Sequence, residues 1–216
     1  MKKLLQQLSG MSFSQKATHL WMYYKPAIFA SLAVFVLLIF GLVRLIFPPE
    51  KTVLEITAVN ANPVTVDTSV FDSFLSDAGY SPGRDVIKVD TSFRISRSEV
   101  SEFNDSSYQI LIARLLARDV YLCLLDRQMF DALNGQNAFQ DLSGPISRSE
   151  DLPEDAVFLH SVDSSGTNTV SGIVFRDSLL HSLGLYTGEV VAAIPAFSPD
   201  DELAFQMIVF LLQSGT

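Results

Sequence analysis

The sequence predicts an α/β protein: one N-terminal transmembrane helix followed by a small three-layer α/β extracytoplasmic domain with a mixed, mainly parallel sheet. Three features of the sequence lead to this prediction. A long apolar stretch lies near the N-terminus, β-branched segments then alternate with amphipathic ones, and two further apolar segments flank a polar turn. The first feature is typical of a membrane span. The second is typical of βαβ units, and the third of a hairpin.

The composition excludes several classes of protein. The 216 residues include 24 Asp+Glu, 15 Lys+Arg and a single Cys, with a net charge of −9 and 48% hydrophobic residues. This apolar content excludes a wholly disordered chain. The acidic balance argues against nucleic acid as the main partner. The single Cys excludes an intramolecular disulfide framework and a multi-cysteine metal site.

The net charge is the sum of two opposite parts. Residues 1–49 contain five basic residues and no acidic one, whereas residues 50–216 contain the other ten basic residues and all 24 acidic ones. Their formal charges are therefore +5 and −14. We expect a basic cytoplasmic tail at 1–26, a transmembrane helix at 27–47 and an extracytoplasmic domain at 48–216.

The segment 27–47 has the length of a membrane span. Its 21 residues form a helix of about 31 Å at about 1.5 Å per residue, close to a hydrocarbon core of about 30 Å. Arg44 lies in the last turn and reaches the interface, and Pro48-Pro49 is expected to end the helix. An aromatic belt is predicted just before the span, at Trp21, Tyr23 and Tyr24.

Two alternatives exist for this segment. A buried helix of a soluble domain would show a polar stripe, which the segment lacks. A cleaved signal peptide would have a shorter leading region and an A-x-A-like cleavage site. Because lysines precede the span, the positive-inside rule predicts a single-pass cell-membrane protein with a cytoplasmic N-terminus. Residues 1–20 either contact the anionic inner leaflet through Lys2, Lys3 and an apolar stripe or only orient the anchor.

The first half of the outer domain predicts three β-α units. Thr52–Val59 and Asp85–Asp90 are strand candidates with β-branched residues, and Val120–Leu125 is a continuously apolar central strand. Thr68–Ala78 and Asp105–Arg118 place their apolar residues on one helical face. Such units predict a parallel sheet with right-handed crossovers and a strand order of 2-1-3.

The pattern changes after a short helix predicted at Asp126–Leu133. Asp141–Asp155 contains two Pro and five acidic residues, and we expect it to be a linker within the fold. Ala156–Ser161 and Thr169–Phe175 flank a loop of Ser, Gly, Asp, Thr and Asn, which predicts a hairpin. The sheet is therefore expected to be mixed.

Three elements complete the domain. Asp177–Leu183 predicts a short helix, Glu189–Ile194 a strand, and Pro199–Gln213 a last helix. We expect Ser198 to cap this helix and Pro199 to occupy its first position. The helix is apolar nearly all round, which predicts burial. Its apolar stretch of about ten residues is too short for a second span, which needs about 20.

Several of these segments resemble the type 2 periplasmic, or extracellular, solute-binding protein family. The similarity covers the opening strand–helix–strand unit and the helix-to-strand step Ile112–Leu122. It continues through Phe139-Gln140-Asp141-Leu142, Ser171-Gly172-Ile173-Val174, and the last strand and helix from Ala193. This resemblance implies an α/β lobe of the kind that such proteins use to hold solutes outside the cell.

The chain also departs from that family in its length. Its members have two lobes that trap a ligand between them, whereas about 165 residues here leave room for one lobe and a fragment. The resemblance therefore implies a shortened, tethered relative used for sensing or for contacting a partner. A helical anchor in place of a lipidated Cys suggests, by analogy, a Gram-positive bacterium.

No motif in the sequence predicts catalysis or a cofactor. His160 and His181 lack the spacing or the Cys pair of a zinc site. Ser164 and Ser165 lie in an ordinary turn composition, and no G-x-S-x-G elbow or P-loop is present. Cys123 is centred in the most apolar strand, which predicts an inert core thiol. We expect no enzyme activity, no metal and no cofactor.

A small polar ligand, if bound, is expected beyond the carboxyl ends of strands one and three, at the topological switch point. Asn60, Asn62, Asp126 and Arg127 follow these strands and offer amides, a carboxylate and a guanidinium. The alternative is structural, since Asn-Pro makes a turn and Asp126 caps the next helix.

Two functions follow from these expectations. The first is a non-enzymatic, solute-binding-like domain that senses a ligand or assists a transporter. The second is a ligand-free envelope scaffold that docks a membrane-protein partner. Both place the chain in the lipid bilayer, and neither involves nucleic acid.

Overall fold

The computed structural model describes residues 12–46, 49–95, 106–153, 156–162, 166–176 and 178–214. The chain divides into two compact units, Met1–Pro49 and Glu50–Thr216. Each unit is described separately below.

The first unit contains one long helix, α1 (Phe13–Ile46). Its part Lys25–Ile46 is 22 residues long and is apolar enough to cross a membrane, by length and composition, although a signal sequence meets the same criteria. All side chains from Phe29 to Ile46 are exposed within the unit. The apolar stripe predicted before Ser12 and the first proline of the predicted stop, Pro48, lie outside the described residues.

The second unit is built around a six-stranded mixed sheet in the order β2-β1-β3-β6-β5-β4. Its strands are β1 (Lys51–Ala58), β2 (Asp85–Asp90), β3 (Leu122–Leu125), β4 (Val157–Val162), β5 (Asn168–Phe175) and β6 (Val190–Ala193). The predicted 2-1-3 order and the hairpin of β4 and β5 are confirmed.

The expectation of a mainly parallel sheet is wrong for the described strands. β1 pairs in parallel with β2 and β3, whereas the pairs β3–β6, β6–β5 and β5–β4 are antiparallel. The reason is the position of β6, which lies between the parallel half and the hairpin and runs against both neighbours. The four residues of β6 carry no local signal of their direction.

Six helices of the second unit are described, and five of them have bounds close to those predicted. They are α2 (Asp72–Asp77), α3 (Ser106–Leu116), α4 (Arg127–Asn134), α5 (Ser143–Arg148), α6 (Leu179–Ser182) and α7 (Asp201–Gln213), and a 3-10 turn (Thr68–Phe71) precedes α2. Leu116, predicted on the buried face of α3, is 63% exposed.

The predicted linker 141–155 contains a helix, α5, so that expectation is wrong in part. The carboxylate of Asp141 accepts hydrogen bonds from the Ser143 amide at 2.9 Å and from its hydroxyl at 2.6 Å, which fixes the turn before α5. The same carboxylate accepts from the Val170 amide at 3.1 Å. The acidic residue that suggested a linker therefore fastens this segment to β5.

The predicted cap of the last helix is also wrong. Asp200, not Ser198, is the N-cap of α7, and its carboxylate accepts from the Leu203 amide at 3.0 Å. The Ser198 hydroxyl donates instead to the Tyr121 carbonyl at 3.2 Å. Asp201 and Glu202 lie in the first turn, where acidic side chains are stabilised by the helix dipole.

The apolar core forms two clusters that share the strands. Leu122 and Leu124 of β3 belong to a cluster with α2 and α7, whereas Cys123 and Leu125 belong to a cluster with α3 and α4. This division follows from the two-residue period of a strand. Burial raises the pKa of the Cys123 thiol to about 12, with Arg114 opposing the shift. The thiol is therefore protonated at neutral pH.

Gly172 of β5 lies where no side chain fits. A Cβ atom at this position would meet Val191 Cγ1 at 2.7 Å and the Phe130 ring at 2.8 Å. The Phe130 ring also stacks on Phe139, with centroids 5.4 Å apart. The glycine thus allows α4 to pack closely on the sheet.

We predict that Gly172→Ala lowers the free energy of unfolding by about 1–3 kcal/mol, because the added methyl overpacks the core. The measurement is urea unfolding of the full chain in detergent, followed by circular dichroism. Gly144→Ala is the matched control, because a Cβ there meets no atom within 4 Å. A stable Gly172→Ala variant would contradict the close approach of Phe130.

Candidate functional site at the carboxyl ends of β1 and β3

Two of the four predicted site residues lie together. The Asn60 side-chain amide donates to the Asp126 carboxylate at 2.7 Å and to the Ile95 carbonyl at 3.0 Å, and its oxygen accepts from the Ile95 amide at 2.8 Å. Asn60 has a φ of 58°, a left-handed conformation that Asn adopts more readily than most residues. Its side chain thus joins β1, β3 and residue 95.

The Asp126 carboxylate is fully engaged within the chain. One oxygen accepts from Asn60, and the other accepts from the Met129 amide at 2.8 Å. Asp126 is therefore the N-cap of α4, as the structural alternative from the sequence predicted.

The other two predicted residues turn away from this pair. The Asn62 side chain donates to the Gly184 carbonyl at 2.9 Å. The Arg127 guanidinium pairs with Asp131, one helical turn along α4, at 3.0 Å, and both side chains are 57% exposed. The four residues therefore do not converge on one point.

The space between the ends of β1 and β3 contains the chain's own Tyr186. Its buried hydroxyl donates to the carbonyls of Val59, at 2.8 Å, and Leu124, at 3.1 Å. Burial raises the pKa of this phenol, and the charge of Asp126 adds to the shift. The hydroxyl is therefore a permanent donor at physiological pH. No pattern in the sequence points to Tyr186.

The segment that carries Tyr186 is fixed on both sides. Gly184 has a φ of 74°, which turns the chain after α6, and its carbonyl accepts from Asn62. The Asn62 amide donates to the Leu185 carbonyl at 2.7 Å, and Leu185 is fully buried. We call residues 184–186 the plug segment, because they fill the place where the switch point predicts a ligand.

A serine–histidine pair lies beside the plug segment. Ser178 Oγ is 3.0 Å from His181 Nδ1, and His181 Nε2 is 2.9 Å from the Gly188 carbonyl oxygen. In a neutral imidazole, Nε2 would carry the proton, because that carbonyl can only accept, and Nδ1 would accept from the serine. This order resembles a nucleophile, a base and its orienting group. Ser178 is only 1% exposed, and the two contacts of His181 join it to Ser178 and to Gly188 across the loop.

The other sequence candidates offer no site in the described part of the chain. His160 is exposed on β4. No group of three or more His, Cys, Asp or Glu side chains with metal-binding geometry occurs among the described residues. Ser164 and Ser165 lie outside them.

A partly buried charge cluster was missed from the sequence. Arg114 of α3 bonds to Glu55 of β1 and to Asp90 of β2, the latter at 2.7 Å, and Lys88 lies 4.0 Å from Glu55. The Arg114 guanidinium also lies over the Phe93 ring, 5.7 Å from its centroid. The cluster attaches α3 to the two parallel strands. The sequence does contain a sign of this cluster, because Glu55, Lys88 and Asp90 are charged residues inside predicted strands.

Hydrogen bonds determine the ionisation of Asp90. Burial opposes its charged form, but hydrogen bonds from Ser92 and Arg114 outweigh burial and lower the pKa of this carboxyl below 3.8. Burial likewise opposes the charge on Arg114, yet its bonds to Glu55 and Asp90 raise the pKa of the guanidinium. Asp90 and Arg114 are therefore both charged at neutral pH.

We predict that Tyr186→Phe lowers the free energy of unfolding by about 1–3 kcal/mol, because the buried Val59 carbonyl loses this donor. The Leu124 carbonyl keeps its hydrogen bond from the Val59 amide. Urea unfolding of the full chain in detergent measures the change. Tyr80→Phe removes a hydroxyl from a partly buried tyrosine elsewhere and is expected to stay within about 0.5 kcal/mol of wild type. Equal stabilities of the two variants would contradict the role of the Tyr186 hydroxyl.

We predict that the stabilising effect of Asp90 depends on pH. A carboxyl whose folded pKa is lowered stabilises fully above its unfolded value of 3.8 and loses this effect as the pH falls through the folded pKa. Wild type and Asp90→Asn should therefore differ by a constant unfolding free energy near neutral pH and converge below pH 3.8. Urea unfolding of both proteins from neutral pH to below pH 3.8 measures this difference. A difference that persists undiminished at lower pH would contradict the ion pair.

Comparison of the chain with protein-family models, with curated proteins and with solved structures finds no match.

Proposed function

We propose that the chain is a single-pass membrane protein whose outer domain is a non-enzymatic, ligand-free envelope scaffold that docks a membrane-protein partner. The observation that carries this proposal is the plug segment. Tyr186 bonds to the ends of β1 and β3 at the place where a doubly wound sheet holds its ligand. A small solute would have to displace a buried side chain and leave two carbonyls without this donor.

The polar groups around the plug segment support the same proposal. Asn60 and Asp126 bind each other and the backbone, and Asn62 binds the plug segment. A ligand would have to replace these bonds one for one, since buried polar groups without partners are costly. The geometry thus favours the scaffold over the solute-sensing domain that the sequence also suggests.

The membrane assignment is supported by the composition of α1. The apolar stretch Lys25–Ile46 is long enough for a span, and its side chains from Phe29 onward are exposed within their unit. Lys16 and Lys25 precede most of it, so we propose a cytoplasmic N-terminus and an extracytoplasmic domain in the cell membrane. Lys25 also lies over the Trp21 ring at 5.6 Å, a pairing suited to the interface.

We further propose a three-layer domain related to one lobe of the type 2 solute-binding proteins. The two apolar clusters on alternate residues of β3 support helices on both faces of the sheet. The segments that resemble that family include β1, α2 and β2, the end of α3 up to the first residue of β3, and the loop before α5. They also include part of β5 and the stretch from the last residue of β6 through α7. In this proposal the domain keeps the frame of the lobe and has lost its ligand crevice.

Crosslinking on intact cells tests the proposed function and the orientation together. The outer domain has two lysines, Lys51 and Lys88, and both are exposed. A membrane-impermeant amine-reactive crosslinker should therefore link the wild-type chain to a stoichiometric partner. A matched variant, Lys51→Arg with Lys88→Arg, should lose the link and keep its charge.

The same full chain, purified in detergent, should show no thermal shift with a panel of amino acids, sugars and small anions. A shift that disappears in Asp126→Asn would contradict the proposal and favour a solute sensor. Absence of any crosslinked partner in intact cells would contradict the scaffold itself.

A further inference from the structure

A surface groove lies in the outer domain, away from the plug segment. It has a volume of about 680 Å³ and is bordered by α2, by α5 with the chain that follows it, and by α7. This volume lies in the range of ligand clefts, about 300–1,000 Å³. The groove is therefore large enough for several side chains of a partner.

The floor of the groove is apolar and aromatic. Phe210 and Val209 of α7 are partly buried there, beside the buried Phe74 of α2. The rings of Phe74 and Phe210 pack with centroids 5.4 Å apart. One wall is fixed to the floor helix, because the Gln213 side chain donates to the Asp151 carbonyl at 2.9 Å. The floor is thus formed before any partner arrives.

The rim of the groove is strongly acidic. Four exposed carboxylates line it against one base, Arg148, whose Nε donates to the Gly144 carbonyl at 3.2 Å. Within the described part of the chain, none of the four forms an ion pair. The carboxylates are those of Asp77, Glu150, Asp151 and Glu202.

We propose that this groove binds a cationic, amphipathic segment of a protein partner. One apolar side chain packs on Val209 and Phe210, and flanking Lys or Arg side chains meet the acidic rim. The inference rests on the proposed scaffold function and assigns the docking surface and the chemistry of the partner. The net rim charge of about −3 repels anionic lipid headgroups and nucleic acid. The same charge that favours a cationic peptide therefore argues against those two occupants.

The test uses the full chain in nanodiscs of zwitterionic lipid, with empty nanodiscs as the blank. The probe is the peptide Lys-Leu-Lys-Leu-Lys-Leu-Lys, titrated by calorimetry. Two matched peptides replace every Lys by Glu or every Leu by Ser. We expect binding of the first peptide alone, and binding that weakens as salt screens the rim.

Charge reversal locates the binding. The double variant Glu150→Lys, Asp151→Lys should lower the affinity for the Lys-Leu peptide by about tenfold or more. A tenfold loss corresponds to about 1.4 kcal/mol of binding free energy. Asp119→Lys reverses an equally exposed acid outside the groove and should bind as wild type does. The milder Glu202→Gln should give a smaller loss, and unchanged circular dichroism melting shows that each variant is folded.

The inference would be overturned if the acidic peptide bound as tightly as the Lys-Leu peptide. It would also be overturned if the double charge reversal left the affinity for the Lys-Leu peptide unchanged. Crosslinking in cells separates its failure from that of the scaffold function. A partner recovered equally from wild type and the double variant overturns the groove and leaves the scaffold standing. A partner lost in the double variant and kept in Asp119→Lys supports both.

Discussion

The Tyr186 hydroxyl donates to the carbonyls of Val59 and Leu124 at the carboxyl ends of two adjacent parallel strands. Several other features of the Glu50–Thr216 unit depend on this placement. Gly184 must take a positive φ to bring the plug segment back over the sheet, and Asn62 fastens that segment through two hydrogen bonds. With the crevice filled, Asn60 and Asp126 bond to each other and to nearby backbone groups. Two residues predicted to hold a ligand thus bond within the chain.

The predictable parts of this fold depend on local chemistry. Burial of β3 follows from its continuous apolar run, the cap at Asp126 from a carboxylate before an amphipathic segment, and the turn at Gly184 from a glycine after a short helix. The contacts of Tyr186 span 127 and 62 positions along the chain, so no local pattern reveals them. The antiparallel direction of β6 is likewise a tertiary property. For the candidate site, the sequence predicts that Asn60 and Asp126 follow adjacent strands, and it carries no sign that Tyr186 lies between them.

The acidic character of the domain has two distinct physical uses in the described residues. Glu55 and Asp90 are partly buried and neutralised by Arg114, so they join α3 to the parallel strands. Glu150 and Asp151 are exposed on the rim of the groove beside α7 and carry charge into solvent. The first pair supports the fold, and the second contributes to the surface that we propose for a cationic partner. The total charge of the domain alone does not separate these roles.

Amide hydrogen exchange of the full chain in detergent tests the closed crevice most directly. The Asn62 amide, bonded to the Leu185 carbonyl, reports on the plug segment. The Ile95 amide, bonded to the Asn60 side chain, reports on the neighbouring Asn60–Asp126 pair. If the segment is a permanent part of the core, both amides exchange only with global unfolding, as slowly as those of β3. Fast exchange of both amides while β3 stays protected would show that the segment opens, and would contradict a ligand-free crevice.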